Sequence, residues 1–221
     1  MAWDKNSLYK TETALPGKQN NYETAYHESA AQLSPITIGD IGRYSGATVS
    51  ETGALLLTFL GEELVISHPD ISVRFRSKDD EVPMWVKILV LHYLVRAAGT
   101  QPRHEQITFK QLEGGLGYYP AFQRRCVTPL LDAFGNDMER FMKAGLAAGG
   151  ARSRLGGHAL TFRAFPGVEV TFILWQGDDE FPSTGSVVFN SSISDYLSTE
   201  DIAVLCNMIA VRILKMSAPA D

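Results

Sequence analysis

Three adjacent carboxylates, Asp178, Asp179 and Glu180, follow the run Phe172-Ile-Leu-Trp-Gln-Gly177 and precede Phe181-Pro182. Oxygen ligands gathered on one turn suit a hard cation such as Mg²⁺ or Ca²⁺, or a basic partner. The same residues also make an ordinary solvated turn, since carboxylates are usually exposed. Both readings stand, although the triplet lacks the alternating ligand spacing of a calcium-binding helix–loop–helix. For one of the three to serve as a general base, its pKa would have to be raised. Trp175 sits beside the turn and offers a flat apolar surface.

A second group is Glu113-Gly-Gly-Leu-Gly117, followed by Tyr118, Tyr119, Arg124 and Arg125. A Gly-rich loop that opens a helix, here with Gly114 and Gly115, presents backbone N–H groups to an anion, and the two arginines would add charge. The competing reading is a plain flexible connection. Its spacing matches neither a Walker P-loop, for want of the Gly-Lys-Ser/Thr ending, nor the dinucleotide fingerprint. His92 falls within an apolar helical pattern and reads as a hydrogen-bonded core histidine or as a ligand. His158 ends a polar loop that contains Arg152 and Arg154, whereas His27 lies off its helix's apolar stripe and is expected to be exposed. No Ser–His–Asp or Cys–His arrangement can be placed, so a binding role is expected ahead of an enzymatic one.

The elements that must hold these residues follow from periodicity. Val168 to Trp175 is β-branched and aromatic, nearly continuous in apolar character and too short for a helix, which predicts a central strand. Gln176 to Asp179 has turn chemistry, and Gly185 to Asn190 returns as the next strand. Ala159 to Phe165 is a strand divided from Val168 by Pro166-Gly167. Ser198 with Asp201 three residues on is a capping box, followed by the apolar face of a last helix. In the first half, Asn20 to Leu33 is helical. Leu55–Leu60 and Leu64–Ser67 form a hairpin about Gly61-Glu-Glu63, and Ile71 to Phe75 adds a strand. A helix enters at Asp79 to Pro83 and runs to Gly99; another spans Asp137 to Ala148. These elements predict an α+β fold, with a mostly antiparallel sheet of about five or six strands packed against several helices, in one domain over residues 19–217 behind a flexible leader of residues 1–18.

Composition narrows the function. A net charge of −5 over 221 residues argues against a nucleic-acid binder, which needs a basic face. Two cysteines, Cys126 and Cys206, are too few for a tetrathiolate site within the chain and read as small buried hydrophobes, which suits a reducing cytoplasm; a disulfide between them stays open. No stretch reaches the roughly 18–20 apolar residues of a membrane span.

Phe165-Pro166, Phe172-Ile-Leu-Trp-Gln-Gly-Asp-Asp-Glu-Phe-Pro182, Val188-Phe-Asn190, Tyr196-Leu197 and Thr199-Glu-Asp201 together resemble an uncharacterised domain-of-unknown-function family of anaerobic bacteria and archaea. Some of its members are similar to fusions with a four-cysteine iron–sulfur domain like that of the corrinoid iron–sulfur protein. The resemblance covers about residues 22–214; the four-cysteine segment is absent, and Asn190 stands where an Asp is common in the family. What the resemblance implies is an accessory protein of one-carbon metabolism that binds a corrinoid or haem, or a protein partner. Arg124 and Arg125 would meet anionic side groups, Trp175, Tyr118 and Tyr119 would form an apolar wall, and His92, His104 or His158 would be an axial ligand. A homo-oligomer joined through the last helix is a further expectation.

Overall fold

The structure, a computed structural model, describes residues 18–103 and 105–217. His104 and the expected leader, up to residue 17, lie outside the described residues. The described residues group into two compact units that divide after Gly99. The fold is α+β, and its strands make two wholly antiparallel sheets of four and five strands in place of a single one.

The first unit contains α1 (Lys18–Leu33), α2 (Ile38–Ser45), β1 (Thr48–Val49), β2 (Leu55–Phe59), β3 (Glu62–Ser67), β4 (Ser72–Phe75) and α3 (Met84–Arg96). Its strands lie in sequence order, as a meander. The β2–β3 turn sits at Leu60-Gly61, whose φ values of 48° and 82° are both positive, the hand that matches strand twist in a two-residue hairpin. It falls one residue earlier than the sequence suggested, so Glu62 and Glu63 pair with Phe59 and Thr58. Helix α3 is apolar round most of its circumference and buries Val86, Ile88, Leu89, Val90, Leu91, Tyr93 and Leu94. The Tyr93 hydroxyl donates to the Ser45 carbonyl, and that of Tyr26 to the Ile71 carbonyl at 2.9 Å.

The second unit opens with β5 (Gln106–Thr108) and a 3₁₀ turn at Phe109–Gln111. A helical stretch follows without a break: α4 (Gly115–Phe122), a π-helical segment (Gln123–Val127) and α5 (Thr128–Phe134). Then come α6 (Met138–Ala147), β6 (Ala151–Arg152), β7 (His158–Phe165), β8 (Val168–Trp175), β9 (Thr184–Asn190) and α7 (Thr199–Met216). The sheet order is β5-β9-β8-β7-β6, with β8 in the centre as its composition implied. Val170 pairs with Phe162 and Phe189, and Phe172 with Leu160 and Val187, so these side chains share one face. All are buried, and each large one contributes about 1.5–3 kcal/mol relative to exposure. Helix α6 lies against this face: a Cβ on Gly145 would overlap the Leu160 side chain. The start of α7 carries the expected capping box, with the Ser198 hydroxyl donating to Asp201 Oδ2 at 2.6 Å and accepting from the Asp201 N–H at 3.1 Å. Among the described residues, no helix is long and apolar enough to cross a membrane.

Asn190 has a structural task. Its Oδ1 accepts from the Arg103 N–H at 2.8 Å, the Ser192 N–H at 3.1 Å and the Ser192 hydroxyl at 2.6 Å, while its amide donates to the Arg103 carbonyl. One side chain thereby ties the irregular segment before β5 to the turn after β9. An ionised Asp could accept the same three bonds but could not donate the fourth. Asn190→Ala should cost about 1–3 kcal/mol in urea unfolding, because partners are left unsatisfied. A loss below about 0.5 kcal/mol would show that water replaces the amide.

Candidate functional site

The acidic turn is closed by its own first carboxylate. Asp178 Oδ1 accepts from the backbone N–H of Glu180 at 2.9 Å and of Phe181 at 2.8 Å, and the Asp178 N–H donates to the Phe181 carbonyl at 2.9 Å. The bonds from Phe181 and then Glu180 hold the Asp178 carboxyl below the ordinary aspartate range. That is the opposite direction from what a general base working near neutral pH requires. Asp179, Glu180 and Phe181 are exposed, and Trp175 is 39% exposed at the end of β8. A Cβ on Gly157 would lie 2.9 Å from Trp175 Nε1, so the β6–β7 loop packs on the indole.

The Gly-rich stretch is a helix rather than a loop. Gly114, at φ 68°, is the N-cap, and Gly115 and Gly117 lie inside α4. Position 115 admits only glycine, because a Cβ there would overlap the Phe109 carbonyl oxygen. Phe109 in turn stacks on Phe122 with ring centroids 4.0 Å apart and planes inclined by 13°, so tertiary packing overrides the breaking tendency of three glycines and Pro120. The helix start does not gather positive charge. Thr199, which precedes Glu200 and Asp201, donates its hydroxyl to the Glu113 carbonyl at 2.8 Å and brings the acidic first turn of α7 beside it.

The cations collect further along. Lys110 Nζ lies 4.3 Å from the centre of the Tyr119 ring, Arg125 Nη1 donates to the Tyr118 hydroxyl at 3.0 Å, and the Gln123 amide donates to the Tyr119 hydroxyl. Arg124 and Arg125 are exposed on the π-helical segment, and Leu116 near the start of α4 is 70% exposed. Among the described residues, no carboxylate forms an ion pair with Lys110, Arg124 or Arg125. Lys110 and Gln123 escaped the sequence reading, because Lys110 meets Tyr119 only once the 3₁₀ turn folds onto α4.

The groups named from sequence have separate sets of neighbours. A Cβ on Gly135 would overlap Ser183, which anchors the C-terminal end of α5 at the β8–β9 connection. Trp175 packs on Gly157, whereas Tyr118 meets Phe109 and Arg125 and Tyr119 meets Lys110, Phe122 and Gln123. Among the described residues, no ring contact joins Trp175 to Tyr118 or Tyr119. His92 is half-buried on α3 in the first unit and has interactions of its own. His158 starts β7, half-buried, with a buried Nδ1 that has no hydrogen-bond partner. His27 is exposed as expected.

Cys126 and Cys206 are free and buried. Burial pushes the Cys126 thiol up to about 12 and that of Cys206 well above the ordinary value, which leaves both as unreactive thiols. Among the described residues, no three His, Cys, Asp or Glu side chains come together as metal ligands.

Fold and surface together define an antiparallel α+β protein with a cationic, aromatic helix face and, at another place, an acidic turn. The chain belongs to the family named domain of unknown function DUF3786, which matches residues 37–212. The match begins at the N-cap of α2 and ends within α7, so it draws on both units and leaves α1 outside. No curated protein and no solved structure matches the chain.

The Asp178 contacts carry a pH signature. A carboxylate whose folded pKa is depressed adds stability that is complete above its unfolded value, about 3.9, and is lost as pH falls through the lower folded value. The amide resonances of Glu180 and Phe181 should titrate together with a midpoint below about 3.9, and Asp178→Asn should abolish that titration. A midpoint above it would mean that the turn is open in solution.

Proposed function

We propose that the protein is a non-catalytic binding domain that takes an anionic ligand on the face formed by Lys110, Tyr118, Tyr119, Arg124 and Arg125. One observation carries this reading: Lys110 is held over the Tyr119 ring and Arg125 on the Tyr118 hydroxyl, and no carboxylate among the described residues pairs with them or with Arg124. In a chain with a net charge of −5, an unneutralised cluster of this kind selects an anionic group out of solution. Guanidinium groups bind carboxylates and phosphates through paired hydrogen bonds, and side chains already in place lose less freedom on binding. The π-helical segment supports the reading as well, because such segments recur at functional sites.

A corrinoid or other tetrapyrrole in anaerobic one-carbon metabolism is the ligand class implied by the sequence resemblance. The propionates of a haem, or the phosphodiester of a corrinoid's nucleotide loop, would meet Arg124 and Arg125, and the flat ring the tyrosines. No axial ligand enters the proposal. Two free thiols fit the reducing cytoplasm in which we place the protein.

Titration of the full chain with cyanocobalamin and with haemin, followed by visible absorption, tests the proposal. A saturable spectral change that weakens at least tenfold in Arg124→Glu/Arg125→Glu supports it. No change with either chromophore overturns the tetrapyrrole assignment, and binding that ignores the charge reversal overturns the assigned face.

A further inference from the structure

The end of the second sheet that carries the acidic turn has a different character. Antiparallel pairing of His158 with Leu174 brings the loop between β6 and β7 to the same end of the sheet as the connection between β8 and β9. Three large apolar side chains are exposed there: Trp175 at 39%, Leu155 at 45% and Phe181 at 66%. The loop and the connection are neighbours, since Gly157 packs on the Trp175 indole. Strand spacing of about 4.8 Å puts the basic side of this end, Arg152 and Arg154, within roughly 10–15 Å of the acidic side, Asp179 and Glu180. Among the described residues, none of these four side chains forms an ion pair.

We propose that this end of the sheet is a homodimer interface, in which Leu155, Trp175 and Phe181 pack against their counterparts in a second copy while Arg152 and Arg154 face the partner's acidic turn. The argument is charge complementarity. A patch with a basic flank, an apolar centre and an acidic flank is complementary to itself under a twofold rotation through the centre, because the rotation exchanges the flanks. A purely basic or purely acidic partner would meet repulsion on one flank, so a second copy of this chain fits better than either. The closed Asp178 turn favours association too, since it holds Asp179 and Glu180 in place beforehand and little freedom is lost on docking. The three apolar side chains offer only a few hundred Å² per copy, below the roughly 800 Å² of a standard interface, so the dimer belongs to the small, transient class. This surface is separate from the cationic helix face, and neither proposal depends on the other.

Sedimentation of the full chain over a concentration series, at low and high salt, tests the interface with two exposed single substitutions. In the twofold arrangement each of Arg154→Glu and Glu180→Lys places like charges opposite each other, so each variant alone should dimerise at least tenfold more weakly than the parent. Mixed in equal amounts, the two should form a heterodimer, because both contacts then pair opposite charges; the double variant Arg154→Glu/Glu180→Lys should regain self-association for the same reason. Circular dichroism of each variant confirms that its fold is kept. A chain that stays monomeric to several hundred micromolar overturns the proposal. So does a dimer that neither single substitution weakens, or a pair of variants that does not recover on mixing.

Discussion

Close approach between helix and sheet in the second unit is the constraint on which the surface chemistry depends. At Gly185 on β9 a Cβ would lie 2.9 Å from Val127 Cγ1 and 2.7 Å from Leu174 Cδ2. At Gly145 and Gly135 it would overlap Leu160 and Ser183. These three positions let the backbone of α5, the π-helical segment and α6 approach the strands more closely than any side chain allows. Interiors are packed too densely to absorb an added methyl group without movement.

Holding the helical stretch from Gly115 to Phe134 in this way separates two kinds of surface. Near its C-terminal end is the β8–β9 connection, where Asp178 is spent on closing the turn and Asp179 and Glu180 project into solvent. Toward its other end, the Phe109–Phe122 stack orders the 3₁₀ turn, which carries Lys110 to Tyr119. Arg124 and Arg125 fall between, on the π-helical segment, while their neighbours Cys126 and Val127 face inward. A single sequence of turns from Gln123 to Val127 thus supplies both a core contact and an exposed charge.

Much of this was legible in the residues. The span of β8 followed from an apolar run bounded by glycine and proline, and the capping box of α7 from Ser198 and Asp201, because both signals are local. The α+β class followed likewise. Local signals failed at Gly114 to Gly117. Glycine usually breaks a helix, yet here Gly115 is required by the Phe109 carbonyl, a contact set by tertiary packing. The division into two sheets, the separate neighbours of Trp175 and Tyr118, and the meeting of Lys110 with Tyr119 all depend on how elements lie against each other. Periodicity reports which face of an element is apolar, not what covers it. Asn190 shows the same limit: the resemblance notes only that an Asp is common at this position, whereas its four hydrogen bonds to Arg103 and Ser192 give it a structural role.

The central claim is that the cationic helix face and the Trp175 turn are separate surfaces, and that the ligand meets only the first. Backbone and indole ¹H–¹⁵N spectra recorded during titration with cyanocobalamin test it most directly. The account predicts progressive shifts at Lys110 and across residues 118–125, while the Trp175 indole and the amides of residues 178–181 stay in place. Shifts of the Trp175 indole in step with those of Tyr118 and Tyr119 would contradict it.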